Sequence, residues 1–306
     1  MQFGQAIIIE VCLPYWQANS APTPTSRGRP EQRPGRRSVK WGGVSAGGSG
    51  LSGAVGRSTP RAATRILRAT SVITATALLL ASSCSWILGT PIPAGIPPPP
   101  GDPVPQVNIN LKKGQGRPAD QLHAWAAERA PALGIPVTAL EAYGYAARVA
   151  AELNPNCHLA WTTLAGIGMV ESHHGTYGGA TIAPNGDVRP PIRGVVLDGT
   201  HGNMRIPDTD EGALDGDPTM DRAMGPMQFI PETWRHYGVD GNNDGIVSPD
   251  NVDDAALSAA GYLCSGRKDL ATAAGWIAAL HSYNYSDQYA RSVRDWATAY
   301  AAGHSR

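Results

Sequence analysis

The chain has 306 residues and a formal net charge of zero, and the zero conceals two opposite halves. Residues 1–83 carry ten Lys/Arg against two Asp/Glu, a net of +8, and residues 84–306 carry fifteen against twenty-three, a net of −8. An acidic main body excludes nucleic acid as the expected partner, because phosphate binding needs a basic surface; the 36 Gly and 26 Pro are too unevenly spread for a collagen-like or wholly disordered chain.

Residues 1–54 show no sustained helical or strand period. They are rich in Ser, Gly, Pro and Arg, a composition that cannot bury enough surface to order itself. They are expected to be disordered, or to lie ahead of a true translation start near Val55. Arg57, Arg61, Arg65 and Arg68 then precede an apolar run from Ala69 to Ala81 and the small residues Ser82-Ser83-Cys84. This is the order of an export signal, and the run is short for a membrane span. Residues 55–84 are therefore read as a signal peptide. Leu80-Ala81-Ser82-Ser83-Cys84 also resembles a bacterial lipobox, with Ala81 where that pattern prefers Leu. Lipid anchoring through Cys84 and plain secretion both stay open, and either one places the product in the cell envelope or outside the cell.

Residues 85–117 read as a linker. Pro91, Pro93, Pro97 to Pro100, Pro103 and Pro105 enforce extended polyproline II, either as a semi-rigid stalk or as a spacer without structure of its own. Residues 118–306 read as one mainly α domain. Thr138 to Glu141 has the form of a capping box, opening a helix that Pro155 ends. Residues 176–222 are Gly- and Pro-rich and acidic, with one short apolar run at Val195-Val196-Leu197: a long irregular insertion with short β content, of the kind that usually carries function. Pro231 suits the first turn of a short helix containing Trp234. Asp253 or Asp254 opens a helix through Cys264. Asp269 caps the next, with Leu270, Ala273, Ile277 and Leu280 on one side. Ser286 caps the last, with Tyr289, Val293, Trp296 and Tyr300 as its core stripe.

The central stretch is Leu159 to Gly175. Leu164, Ile167, Gly168 and Glu171 fall on one helical face, and Gly175 is expected to stop the helix. A glutamate in the last turn of an apolar helix is desolvated and sits at the negative end of the helix dipole. Both effects raise its pKa and favour the protonated form that a general acid needs. The plainer alternative is a glutamate that rims the core and pairs with an arginine. His173 and His174 are adjacent and read as surface or cleft-rim residues.

Cys157 and Cys264, two cysteines in an exported domain, point to one disulfide. No C-x-x-C and no H-E-x-x-H is present, so a zinc enzyme has little support. The segment from Asp240 has the first half of an EF-hand-like loop, with Asp240, Asn242, Asp244 and Ser248 at oxygen-ligand positions, Ile246 at the backbone-carbonyl position and Gly245 at the sharp turn. Position 12 is Asn251, not Glu, and Asp253 or Asp254 could close a longer loop. A structural calcium ion is the expected occupant; an Asn/Asp/Gly turn without an ion is the alternative.

Glu171-Ser172 at the end of an apolar helix, then Ala223 to Pro231 with its G-x-x-Q-F-x-P core, then the calcium-like loop and Tyr283-Asn284-Tyr285-Ser286, form an ordered set. Together they resemble the B type of lytic murein transglycosylases, over about residues 119–302. The resemblance implies a lysozyme-like helical fold, peptidoglycan glycan strands as substrate and Glu171 as the only catalytic carboxylate, with no cofactor for catalysis. It implies proton delivery to the bond between N-acetylmuramic acid and N-acetylglucosamine, followed by attack of the sugar's own 6-hydroxyl to give a 1,6-anhydro end. An internal hydroxyl then replaces the second carboxylate of ordinary glycosidases.

By the same resemblance Gln228, Phe229, Tyr283 and Asn284 line the cleft, Gly225 and Met227 let the glycan approach, and Thr219 stands where the family has a serine. Asp254 closes the calcium loop at the family's offset from Asp240. The family's cleft arginines have only Arg189, Arg193 and Arg205 as candidates. Two rival readings remain at this level: a lysozyme-like hydrolase with Asp215, Asp217 or Asp221 as second carboxylate, and a wall-binding module without catalysis. Protein partners are not legible.

Overall fold

The computed structural model describes residues 96–109 and 114–306. The export signal expected over 55–84 lies outside the described residues. The described part is mainly helical, as a lysozyme-like domain requires. A 3-10 turn, Pro118–Leu122, leads into α1 (His123–Leu133) and α2 (Val137–Leu153). Next come α3 (Trp161–Ser172), α4 (Pro231–Tyr237), α5 (Val252–Leu263), α6 (Ala273–Tyr283) and α7 (Asp287–Ala301). Among the described residues no helix is long and apolar enough to cross a membrane.

The core is built from small residues that let helices approach closely. Ala139, Ala146, Ala255, Ala256 and Ala259 are fully buried, and α2 packs along α5 across them. α3 and α7 approach closely. A Cβ on Gly166 would lie 2.6 Å from the Val293 carbonyl oxygen, so any larger residue there pushes α7 away. Cys157, in the turn before α3, is bonded to Cys264, at the end of α5, with Cα atoms 5.4 Å apart. The bond ties the start of the central helix to the far side of the core, as expected.

The insertion between α3 and α4 holds two small antiparallel pairs. β1 (Thr181–Ile182) pairs with β2 (Val188–Arg189), and β3 (Arg193–Val196) with β4 (Arg222–Met224). Asp187 also bridges to Asn251, so the first pair is anchored beside the start of α5.

Several local expectations are revised. No capping box forms at Thr138. Pro136 precedes α2 without a side-chain cap, and Glu141 is buried beneath Arg117 and 2.7 Å from His123 Nδ1. Arg117 also reaches Asp253 through Nε and a terminal nitrogen, at 2.7 and 2.9 Å. The buried guanidinium therefore joins the entry segment to α2 and α5. α5 is capped by Asn251, which accepts from the N–H groups of Asp253 and Asp254, and α6 by Thr272 instead of Asp269. Ser286 caps α7 as expected.

The proline-rich segment is more than a spacer. Residues 96–109 lie on the helices: Trp161 Nε1 donates to the Asp102 carbonyl at 2.9 Å and Thr162 Oγ1 to the Pro99 carbonyl at 3.2 Å. Val104, Val107 and Ile109 pack on the core, and Asn108 and Gln121 exchange two hydrogen bonds. Tryptophan and threonine at the start of α3 give this strap partners that composition does not reveal.

Candidate active site

Glu171 stands in the last turn of α3 and lines a cleft. Gln228, Phe229, Tyr283 and Asn284 line the same cleft. Of the residues expected to face substrate, these four are brought together with Glu171. Burial pushes the Glu171 carboxyl up to about 8, against the opposing pull of a hydrogen bond from Tyr289. That bond runs from the Tyr289 hydroxyl to Glu171 Oε1 at 2.6 Å. Burial is the larger effect, so the acid is held protonated near neutral pH while a donor stands ready for its carboxylate form.

The pairing of Glu171-Ser172 with the glutamine turn has a direct cause. Ser172 Oγ donates to the Pro226 carbonyl at 2.6 Å and accepts from the Gly175 N–H at 2.7 Å. One hydroxyl thus fastens the end of α3 to the turn that carries Gln228. Gln228 takes a positive φ of 48° and donates from Nε2 to the Gly225 carbonyl at 2.9 Å. Met224 and Phe229 exchange backbone hydrogen bonds at 2.8 and 3.1 Å, closing the turn. Phe229 packs edge-on to Trp234 and Tyr283, with centroids 5.3 and 5.8 Å apart. Tyr283 donates its hydroxyl to the Met227 carbonyl at 2.6 Å, so α6 holds the turn from the other side.

Gly225 and Met227 have a different role from the one expected. Gly225 has φ +70°, and a Cβ there would fall 1.7 Å from the Pro249 carbonyl oxygen. Its small size serves packing against the turn before α5, not approach of a glycan. Met227 is fully buried in the core. Thr219 is exposed, away from the cleft lining, and donates its hydroxyl to Asp217 at 2.6 Å. Nor do the arginines line the cleft: Arg193 holds Asp250 at 2.6 and 3.0 Å, Arg189 pairs with Asp187 on the surface, and Arg205 is exposed.

The carboxylates considered as a second acid are engaged elsewhere. Asp215 accepts from the N–H groups of Asp217 and Arg222, and Asp217 pairs with the Arg222 side chain at 3.0 Å. Asp221 is fully buried and accepts from the Thr209 N–H and hydroxyl, both at 2.9 Å. Among the described residues that line the cleft, Glu171 is the sole carboxylate.

The helix end differs from expectation as well. α3 stops at Ser172, three residues before Gly175, with His173 in the left-handed conformation at its end; Gly175 also has a positive φ of 82°, and His174, expected at the surface or the cleft rim, is 2% exposed. Three parts of the site were not foreseen. Tyr289 reads as core from its helical stripe, and it is buried; only the seating of α7 on α3 puts its hydroxyl on the acid. Leu197, Met204 and Ile206 form an apolar wall from the insertion, of which only the run ending at Leu197 gave a signal. His174 gave none.

In the calcium-like loop Asp240 accepts from the N–H groups of Asp244 and Gly245, Asn242 from that of Asp244, and Asp244 from that of Ile246. Asp254 is fully buried and accepts from the N–H groups of Gly241, Asn242 and Ser248 at 2.7, 3.2 and 2.8 Å. Burial pushes its carboxyl up to about 7. Ile246 turns its side chain to solvent, 66% exposed. The donor set is all oxygen, on a loop curled by successive Asx turns, which is the chemistry of a hard cation.

Residues 219–276 match the model of a family described as a transglycosylase SLT domain. The match covers the glutamine turn, α4, the calcium-like loop, α5 and the start of α6, and relates this part of the chain to transglycosylases. Glu171, Tyr283, Asn284 and Tyr289 lie outside it and join it only through the fold. No curated protein and no solved structure matches the chain.

Proposed function

We propose that this protein is a lytic transglycosylase of the peptidoglycan, exported to the cell envelope, which cleaves the β-1,4 bond between N-acetylmuramic acid and N-acetylglucosamine. The supporting observation is a cleft with one carboxylate, Glu171, held protonated by burial and contacted by the Tyr289 hydroxyl. Glu171 gives its proton to the glycosidic oxygen as the bond from the muramyl C1 breaks. The resulting carboxylate is stabilised by the O–H of Tyr289. The muramyl 6-hydroxyl then bonds to C1 and returns its proton to Glu171. One bond forms, one breaks, the acid is restored and no water is consumed. A hydrolase needs a second carboxylate to activate water, and among the described residues that line the cleft Glu171 is the sole carboxylate.

Gln228 and Asn284, both in the cleft lining, supply amide groups for the sugars' acetamido and hydroxyl substituents. In the loop, Asp240, Asn242, Asp244, the Ile246 carbonyl and Asp254 would hold a structural calcium, which neutralises Asp254 and braces the start of α5. Digestion of purified peptidoglycan, with mass analysis of the released muropeptides, tests the reading. Anhydro ends are expected from the wild-type protein and no cleavage from Glu171→Gln. Reducing ends would turn the assignment to a hydrolase. Absence of cleavage by the wild type, with glycan bound, would turn it to a wall-binding module.

A further inference from the structure

Two histidines follow Glu171-Ser172, and both hold the left-handed conformation, His173 at φ 52° and His174 at φ 59°. Side chains with a Cβ adopt it only where the surroundings impose it. His173 is exposed and meets Tyr177 edge-on. His174 is buried between two helices. Its Nδ1 lies 3.3 Å from the hydroxyl of Tyr143 on α2, and its Nε2 lies 2.9 Å from the hydroxyl of Tyr300 on α7. Burial pushes the imidazole down to about 3, so the ring is neutral near neutral pH. A neutral imidazole has one donor and one acceptor nitrogen, so one tyrosine donates to it and the other accepts from it.

The clamp touches the catalytic helix directly. A Cβ on Gly168 would stand 2.1 Å from the Tyr143 hydroxyl, so the last turn of α3 rests against it. Tyr289 and Tyr300 are about three turns apart on α7 and therefore share a face. That face delivers one hydroxyl to Glu171 and the other to His174.

We propose that His174, clamped between Tyr143 and Tyr300, is a positioning residue that seats the end of α3 on α7 so that the Tyr289 hydroxyl meets the Glu171 carboxylate. The inference rests on Glu171 being the acid. Tyr289 from α7 and Tyr283 from α6 face Glu171; Tyr143, Tyr300 and the neighbouring His173 face His174. No ion pair to Glu171 or His174 forms among the described residues. The Tyr289 hydrogen bond favours the carboxylate form, so loosening it raises the pH at which Glu171 ionises.

The test is the pH profile of glycan cleavage for wild type, His174→Phe, Tyr289→Phe and the double variant, with fold checked by circular dichroism. His174→Phe should lower kcat about tenfold or more with KM within about twofold. Its alkaline limb should move to higher pH, as in Tyr289→Phe, and the double variant should move no further than Tyr289→Phe alone. A merely structural histidine would lower the melting temperature and leave the limb in place, and that result overturns the inference. So does an additive shift in the double variant. If His174→Phe does not fold, Tyr300→Phe, which keeps the ring and loses one hydroxyl, decides by the same limb. Glu171→Gln is run alongside: if it still cleaves, the reading of the acid fails first, whereas an inactive Glu171→Gln with an unmoved limb sinks only the clamp.

Discussion

Replacing Glu171 by Gln should remove activity and stabilise the protein, and the stabilisation should depend on pH. The carboxyl rises from its ordinary 4.5 to about 8 in the fold because burial disfavours its charge. A folded-state pKa above the unfolded one means that the carboxyl's contribution to stability is complete below pH 4.5 and is lost as pH rises through about 8. Each pH unit between the two values is worth about 1.4 kcal/mol, so full ionisation in the fold costs about 3–5 kcal/mol. Gln keeps the shape and an acceptor for Tyr289 and never ionises. Urea unfolding of both proteins at pH 5 and pH 9, followed by tryptophan fluorescence, gives the difference directly. Groups that titrate in both proteins cancel. Glu171→Gln should gain about 3–5 kcal/mol relative to wild type between the two pH values, a relative rise in melting temperature of about 10 °C. A difference that stays constant across this range would show that Glu171 ionises normally, and the argument for a protonated general acid would fail with it.

Gly225→Ala should lose about 3 kcal/mol, from a left-handed backbone and an overpacked contact with Pro249, with KM unchanged in the folded fraction. An unaltered melting temperature with raised KM would return Gly225 to the substrate. A protein beginning at residue 96 should be more stable than one beginning at residue 114, by about 3 kcal/mol for the partly buried Val104, Val107 and Ile109, and should melt higher; equal melting temperatures would reduce the strap to decoration. Calcium added to chelator-treated protein should raise the melting temperature, and Asp254→Asn should abolish the rise. Calorimetry without binding heat would leave the loop a turn without an ion.

The helical class, the central helix with Glu171 and the disulfide partners were legible in the chain itself, from apolar periodicity and cysteine count; Gln228, Tyr283 and Asn284 were reached through the resemblance of short ordered motifs to a family. The strap, the site role of Tyr289 and the buried state of His174 were not. Proline-rich composition predicts extended backbone whether or not a partner waits for it; here the helices supply partners, Trp161 and Thr162 among them. Tyr289 obeys the core stripe in both readings, because a tyrosine buries its ring and still presents a hydroxyl. Which group that hydroxyl meets depends on the register of α7 against α3, a packing in which Gly166 meets Val293 at close range. Periodicity assigns a side chain to a face of its own helix. The atom opposite belongs to another helix, distant in sequence, so only the packed core decides which chemistry that face serves.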